Sequence, residues 1–205
     1  TYGMNAQTIT IEVNIDQGVG YYLGGLPNNA IKESSHRISA ALKNTGFKLP
    51  GKKITINMAP ADLRKEGSSY DLTIAIGILA ASHQINAENI NDYIIMGELS
   101  LDGSLQPIKG VLPIALQAKQ EGFKGIILPI QNAKEAAIVN GIDVFGVGHI
   151  KEVIEFFDQN IPLAKLDLDI TKEFETNSNS FPFDFSEVKG QESAKRAIEI
   201  AAAGG

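Results

Sequence analysis

Residues 59–72 read Ala-Pro-Ala-Asp-Leu-Arg-Lys-Glu-Gly-Ser-Ser-Tyr-Asp-Leu, a charged loop that ends on two adjacent hydroxyls. A serine hydroxyl becomes a nucleophile only when a base within hydrogen-bond reach removes its proton. Ser68 and Ser69 are the hydroxyls in question. The structural reading competes directly. Ser68-Ser69-Tyr70-Asp71 has the spacing of a capping box, in which the Ser68 hydroxyl and the Asp71 carboxylate each satisfy a free N–H at a helix start. Such a cap contributes roughly 1 kcal/mol. Cap and structural loop is the preferred reading, ahead of a ligand or partner contact and of a peptidase. Asp62, Arg64, Lys65 and Glu66 form a solvated cluster, or a contact to another domain or subunit.

Other constellations carry less. Gly46-Phe-Lys-Leu-Pro-Gly51-Lys52-Lys53 nearly spells a phosphate-binding loop, but Lys53 stands where a hydroxyl must hold magnesium and Pro50 removes a cradling N–H. The loop also follows a helix and precedes a strand, the reverse of the order that brings phosphate to a helix N-terminus. His36, His83 and His149 are too far apart to pair as metal ligands by sequence spacing. Glu98, next to Gly97, reads as a residue in structural pairing, ahead of a buried partner for a lysine.

The composition is that of an ordinary globular protein: 205 residues, 43% apolar and 20% charged. That length suits one domain of about 150 residues with an appendage. With 24 acidic against 18 basic residues the formal charge is −6, which argues against a nucleic-acid platform. No cysteine means no disulfide, no thiolate metal site and no cysteine nucleophile. No apolar run is long enough for a membrane span and no signal-peptide pattern opens the chain, so the expected location is the cytoplasm, without membrane partners. The start at Thr1 and the end at Gly204-Gly205 read as those of a piece of something longer.

The elements that must hold the loop follow from periodicity. Residues 7–15 alternate, with Ile9, Ile11, Val13 and Ile15 on one face of a strand. A turn at residues 18–20 should make residues 21–26 its hairpin partner. Asn28 and Asn29 open a helix that Gly46 stops, and residues 52–58 form a further strand leading into the loop. Residues 72–81 have almost no polar position and can only be a helix buried against the core. Strands are expected over 93–96 and 99–101, with an Asp102-Gly103 turn. A helix over 111–121, a strand over 125–128, a helix capped by Asn132 with Glu135 at capping-box spacing, a strand over 142–147 and a helix over 150–157 complete the first part. Periodicity fails over 158–180, and an alanine-rich helix follows. The expected class is α+β, with a mixed β-sheet and helices.

Two long runs carry a resemblance. Gly97-Glu-Leu-Ser-Leu-Asp-Gly-Ser-Leu-Gln-Pro-Ile-Lys-Gly110, followed by Gly125-Ile-Ile-Leu-Pro129 and Asn132, resembles the signature of the Lon-type proteolytic domain. Residues 59–72, with Ile31-Lys-Glu-Ser34 and Ala41-Leu-Lys-Asn-Thr-Gly-Phe47, are similar to one branch of that superfamily: the N-terminal domain of the ComM/YifB proteins, magnesium-chelatase-like AAA+ ATPases of bacteria. The resemblance implies a Lon-protease-like (ribosomal protein domain-2-like) fold over residues 1–158, a linker over 159–183 and the truncated start of the ATPase domain over 184–205. Residues 184–192 resemble the leader before the phosphate loop, where the positions of Val188 and Gly190 lie near adenine. For the intact protein the family implies ATP and magnesium, a ring whose neighbouring subunits and own ATPase domain are partners, and DNA branch migration in natural transformation. No cofactor is expected within these residues.

By the same resemblance, the protease serine lies in a Gly-Pro-Ser-Ala-Gly loop, which places Ser69 at the nucleophile position. Here Ser68, Tyr70 and Asp71 replace its proline, alanine and second glycine, and the base lysine two residues past Gly110 is Leu112. Lys109 and Lys65 are the remaining amines, each needing a rearranged site. The expectation is therefore an accessory domain without peptidase activity, serving regulation or assembly. An active Ser-Lys peptidase and a DNA-engaging module are the alternatives.

Overall fold

The computed structural model describes residues 6–168 and 188–204. The chain divides into two compact units, Thr1–Asp167 and Leu168–Gly205.

In the first unit, β1 (Thr10–Asp16), β2 (Gly20–Gly24) and β3 (Lys53–Ala59) form one sheet in the order β1-β3-β2. β1 pairs antiparallel with β3 over seven residues, Thr10 opposite Ala59 through Asp16 opposite Lys53, whereas β2 pairs with β3 in parallel. The expected β1–β2 hairpin is therefore wrong. β3 buries Ile54, Ile56 and Met58, while β1 exposes Thr10, Glu12, Asn14 and Asp16 and β2 exposes Tyr22. The strand with most to bury takes the centre, and the two half-exposed strands take the edges. Gly18, at φ 110°, lets the chain pass the Lys53 end of β3; a side chain there would lie 3.7 Å from Lys53 Cβ.

The first helical segment breaks at Glu33 into α1 (Asn29–Lys32), capped by Asn28, and α2 (Ser34–Asn44). α3 (Asp71–Ala81) is the buried helix that the apolar run predicts, with Leu72, Ile74, Ala75, Ile76, Ile78 and Leu79 enclosed. It packs on β1, α2 and the short strand formed by Glu98 and Leu99. A second sheet, β4 (Tyr93–Ile95), β7 (Gly125–Pro129) and β8 (Asp143–Val147), is parallel throughout in the order β4-β7-β8. Its central strand β7 is buried at every residue, which accounts for its unbroken apolar sequence. Between them, β5 (Glu98–Leu99) and β6 (Leu105–Gln106) make a hairpin closed at Asp102-Gly103, as the turn sequence predicts.

α4 (Val111–Gln120) and α5 (Ile130–Ala137) cover one face of the parallel sheet, and α6 (Ile150–Gln159) follows β8. Asn132 is not a cap. It lies inside α5, 7% exposed, and both accepts from Ile108 N–H at 2.8 Å and donates to Ile108 C=O at 2.9 Å. Its partner is a stretch 24 residues upstream, which helix-start spacing cannot reveal. After α6, Leu166 N–H donates to Val144 C=O at 2.9 Å. Most of the expected linker lies outside the described residues. In the second unit α7 (Glu192–Gly204) is the alanine-rich helix.

Candidate functional site

The loop after β3 is held at three points. Lys65 N–H donates to Leu26 C=O at 3.2 Å, and Asn28 N–H donates to Lys65 C=O at 3.0 Å. Gly97 N–H donates to Ser69 C=O at 2.8 Å, and Leu72 N–H donates to Gly97 C=O at 3.0 Å. This exchange locks the serine loop to the strand segment before β5. A β-carbon at position 97 would stand 2.8 Å from Leu105 Cδ2, so any larger residue would require the buried Leu105 side chain to shift.

The side chains go elsewhere than the capping-box spacing predicts. Tyr70 occupies the cap position of α3, and no side chain caps that helix end. Ser68 instead donates its hydroxyl to the Glu98 carboxylate. Asp71, 1% exposed, accepts from Arg37 Nε at 2.7 Å, from Arg37 Nη2 at 3.0 Å and from Leu99 N–H at 3.3 Å. The capping-box reading is overturned because a guanidinium from α2 satisfies the carboxylate more strongly than helix N–H groups would. Burial pushes the Asp71 carboxyl above its ordinary range, while Arg37 and the Leu99 N–H pull it back. The hydrogen bond that Arg37 donates to Asp71 raises the guanidinium further, with smaller contributions from Glu98 and Glu33. A capping box does exist, at His149 and Glu152 at the start of α6. The His-x-x-Glu spacing before that amphipathic helix carried the signal.

Ser68, Ser69 and Lys109 line one open groove of about 1140 Å³, together with Glu66, Glu98 and Tyr70. Its floor is the Thr73–Gly77–Ala80 face of α3, and β1 and β4 border it. Thr73 donates its hydroxyl to Ile95 C=O, tying α3 to β4. Among the described residues, Ser69 Oγ has no hydrogen bond to Lys109 or to Lys65. The Lys65 side chain is 1% exposed, is not part of the groove lining, and donates its ammonium to Pro60 C=O. Leu112, where the resemblance expects the base, is half-buried, and its N–H donates to Glu135 Oε1 at 3.1 Å. Sequence reasoning did not single out Arg37 or Thr73; both act through partners far along the chain.

In the second unit Val188 is 43% exposed, and Gly190 adopts φ 69° with open space where a side chain would begin. The 205 residues contain no Gly-x4-Gly-Lys-Ser/Thr run to hold the phosphates or magnesium. Among the described residues no group of three or more His, Cys, Asp or Glu is placed to hold a metal ion, and no helix is long and apolar enough to cross a membrane.

Residues 11–132 match the protein family described as "Subunit ChlI of Mg-chelatase". The chain belongs to that family. It is 42% identical over 204 residues to "Uncharacterized protein YifB" of Escherichia coli, covering 99% of this chain and 39% of that protein. It is 42% identical over 206 residues to "Competence protein ComM" of Haemophilus influenzae, covering 98% of this chain and 40% of that protein. "Lon protease 2" of Bacillus subtilis is 32% identical over 146 residues, 69% of this chain and 26% of that protein. The mixed α+β architecture agrees with the Lon-like similarity. The chain thus spans about two fifths of the ComM and YifB relatives it matches.

Proposed function

We propose that this chain is a non-peptidase accessory domain of a larger magnesium-chelatase-like ATPase, acting in regulation or assembly of the intact protein. The observation that carries this reading is the combination of Leu112 at the position where the resemblance expects the base lysine with a Ser69 hydroxyl that, among the described residues, is hydrogen-bonded to neither Lys65 nor Lys109. A serine without a base is a poor nucleophile at neutral pH. The groove wall also carries the Ser68–Glu98 pair, whose anionic carboxylate disfavours a developing oxyanion nearby.

The intact protein, in this reading, binds ATP and magnesium through residues outside this chain, with Val188 and Gly190 near the adenine. Its partners are its own ATPase domain, neighbouring ring subunits and DNA, and it works in the cytoplasm, in competence as the name of the Haemophilus influenzae relative suggests. The test is incubation of the chain with an unfolded protein substrate, wild type beside Ser69→Ala. No cleavage by either is expected. Cleavage that disappears with the serine would overturn the reading.

A further inference from the structure

We propose that Asn140 is a site of spontaneous covalent modification: the Gly141 nitrogen closes on its side-chain amide, ammonia leaves, and aspartate or isoaspartate remains in the turn between α5 and β8. Asn140-Gly141 is the one Asn-Gly pair in the sequence. Ring closure needs a backbone nitrogen that is not hydrogen-bonded, a side-chain amide that nothing holds, and no β-carbon to block the approach. All three meet here. Both residues are exposed, in the stretch between Val139, whose N–H donates to Ala136 C=O at 3.0 Å, and Asp143, whose N–H donates to Lys124 C=O at 3.3 Å. Among the described residues neither the Gly141 N–H nor the Asn140 side chain has a hydrogen-bond partner. A cation from another element faces the same peptide unit. A β-carbon built on Gly141 would stand 3.3 Å from Lys119 Cε and 3.6 Å from its Nζ, and Lys119, exposed on α4, forms no ion pair among the described residues.

The Gly141 nitrogen gives its proton to solvent base and forms a bond to Asn140 Cγ. The Cγ–Nδ2 bond breaks, and the amide nitrogen takes up a proton and leaves as ammonia. Water then opens the five-membered ring. Attack at Cγ returns an aspartate, and attack at the main-chain carbonyl carbon leaves isoaspartate, whose backbone runs through the β-carbon. Amide and water have become acid and ammonia, and nothing is oxidised or reduced. The Lys119 ammonium favours the anionic nitrogen that attacks and then the carboxylate that remains. The product carries one more negative charge on a chain whose formal charge is −6. The other acid-or-amide–glycine pair, Asp102-Gly103, is sealed by its hydrogen bonds. Gly103 N–H donates to Ser100 C=O at 3.0 Å, and Asp102 Oδ1 accepts from the Ser104 N–H at 2.9 Å and the Ser104 hydroxyl at 2.8 Å. Those bonds hold the Asp102 carboxyl below its ordinary range, and only a protonated carboxyl can lose its oxygen to ring closure. In residues 6–168 every other asparagine precedes a residue with a β-carbon.

The test ages the folded 205-residue chain in mildly alkaline buffer and follows each asparagine by peptide mapping, with isoaspartate separated from aspartate by chromatography. Asn140 should convert at least tenfold faster than any other asparagine of residues 6–168, with isoaspartate among the products. Asn140→Gln should remove the acidic form that this conversion adds on isoelectric focusing. Lys119→Met should slow the conversion several-fold in the folded chain and leave it unchanged in urea. Asp102 should gain isoaspartate in urea and not in the folded chain. An Asn140 that stays intact while other asparagines of this range convert, or that yields aspartate with no isoaspartate, would overturn the proposal. Equal folded-state rates for wild type and Lys119→Met would overturn the part given to Lys119. Should a variant not fold, mapping of the wild-type chain still decides. The Ser69→Ala cleavage assay is independent of this result, so either can fail alone.

Discussion

Arg37 and Asp71 stand 34 residues apart in sequence and meet in a two-pronged pair, Nε to Oδ2 at 2.7 Å and Nη2 to Oδ1 at 3.0 Å. Arg37 Nη2 also donates to Ala30 C=O at 3.1 Å, so one guanidinium joins α1, α2 and the start of α3, and the Asp71 carboxylate extends the link to β5 through Leu99 N–H. Its side chain is 23% exposed while the carboxylate is enclosed.

Removing the guanidinium should therefore cost far more than an ordinary surface ion pair. Arg37→Ala leaves a buried carboxylate uncompensated and should destabilise the domain by about 3–5 kcal/mol in urea unfolding. Pairing Arg37→Met with Asp71→Leu should recover most of that loss, since two apolar groups need no counter-charge. A double variant no more stable than Arg37→Ala would contradict this account.

The two serines should separate cleanly. Ser68 donates to a carboxylate, so Ser68→Ala should cost about 1.5–3 kcal/mol, the usual range for a hydrogen bond to a charged group. Ser69→Ala removes a hydroxyl without a hydrogen-bond partner among the described residues and should stay within about 0.5 kcal/mol of wild type. Equal losses at both positions in parallel thermal melts would refute the assignment.

Asn132 closes both backbone groups of Ile108. Asn132→Ala strands a buried N–H and a buried C=O, at about 1–3 kcal/mol for each group left unsatisfied. The loss should exceed that of Asn132→Asp, which keeps an acceptor for the Ile108 N–H. Chemical denaturation of the three proteins provides the comparison.

Alkaline stability should depend on Tyr21. Burial, outweighing the opposing influence of Ser34, pushes its phenol from 10.0 up to about 12. The raised folded value means that the unfolded chain releases this proton first as pH rises. Its stabilising contribution is complete below about pH 10 and is lost as pH climbs through about 12, at roughly 1.4 kcal/mol per pH unit. Tyr21→Phe should flatten the decline over that window relative to wild type. The Tyr21 and Ser34 hydroxyls are both buried without a protein partner of good geometry, so the phenylalanine should cost little at neutral pH. A pH profile of stability unchanged by the substitution would rule out this origin.

Much of the architecture was legible in residue patterns alone. The apolar run into α3, the alternation of β1 and β3, the Asp102-Gly103 turn and the five-residue apolar strand β7 each record local burial, which depends on one segment's own side chains. The family was legible too, through motifs long enough to fix their own order. Within the candidate site, the types and positions of Ser69 and Leu112 were readable. The partners of Ser68, Asp71 and Asn132 were not, because a side chain's reach across 24 to 34 residues leaves no periodic trace.

Tertiary structure alone decided the strand order and the polar partners. Alternation in β1 and β2 announces that each has one wet face, and it is silent on which strand lies beside which. That depended on the competition for the sheet's centre, won by β3 with Ile54, Ile56 and Met58. Ser68-Ser69-Tyr70-Asp71 spells a cap by spacing, and a cap forms only when nothing stronger competes. Arg37 competed for Asp71 and Glu98 for Ser68, and charge-assisted bonds prevailed over helix-end N–H groups.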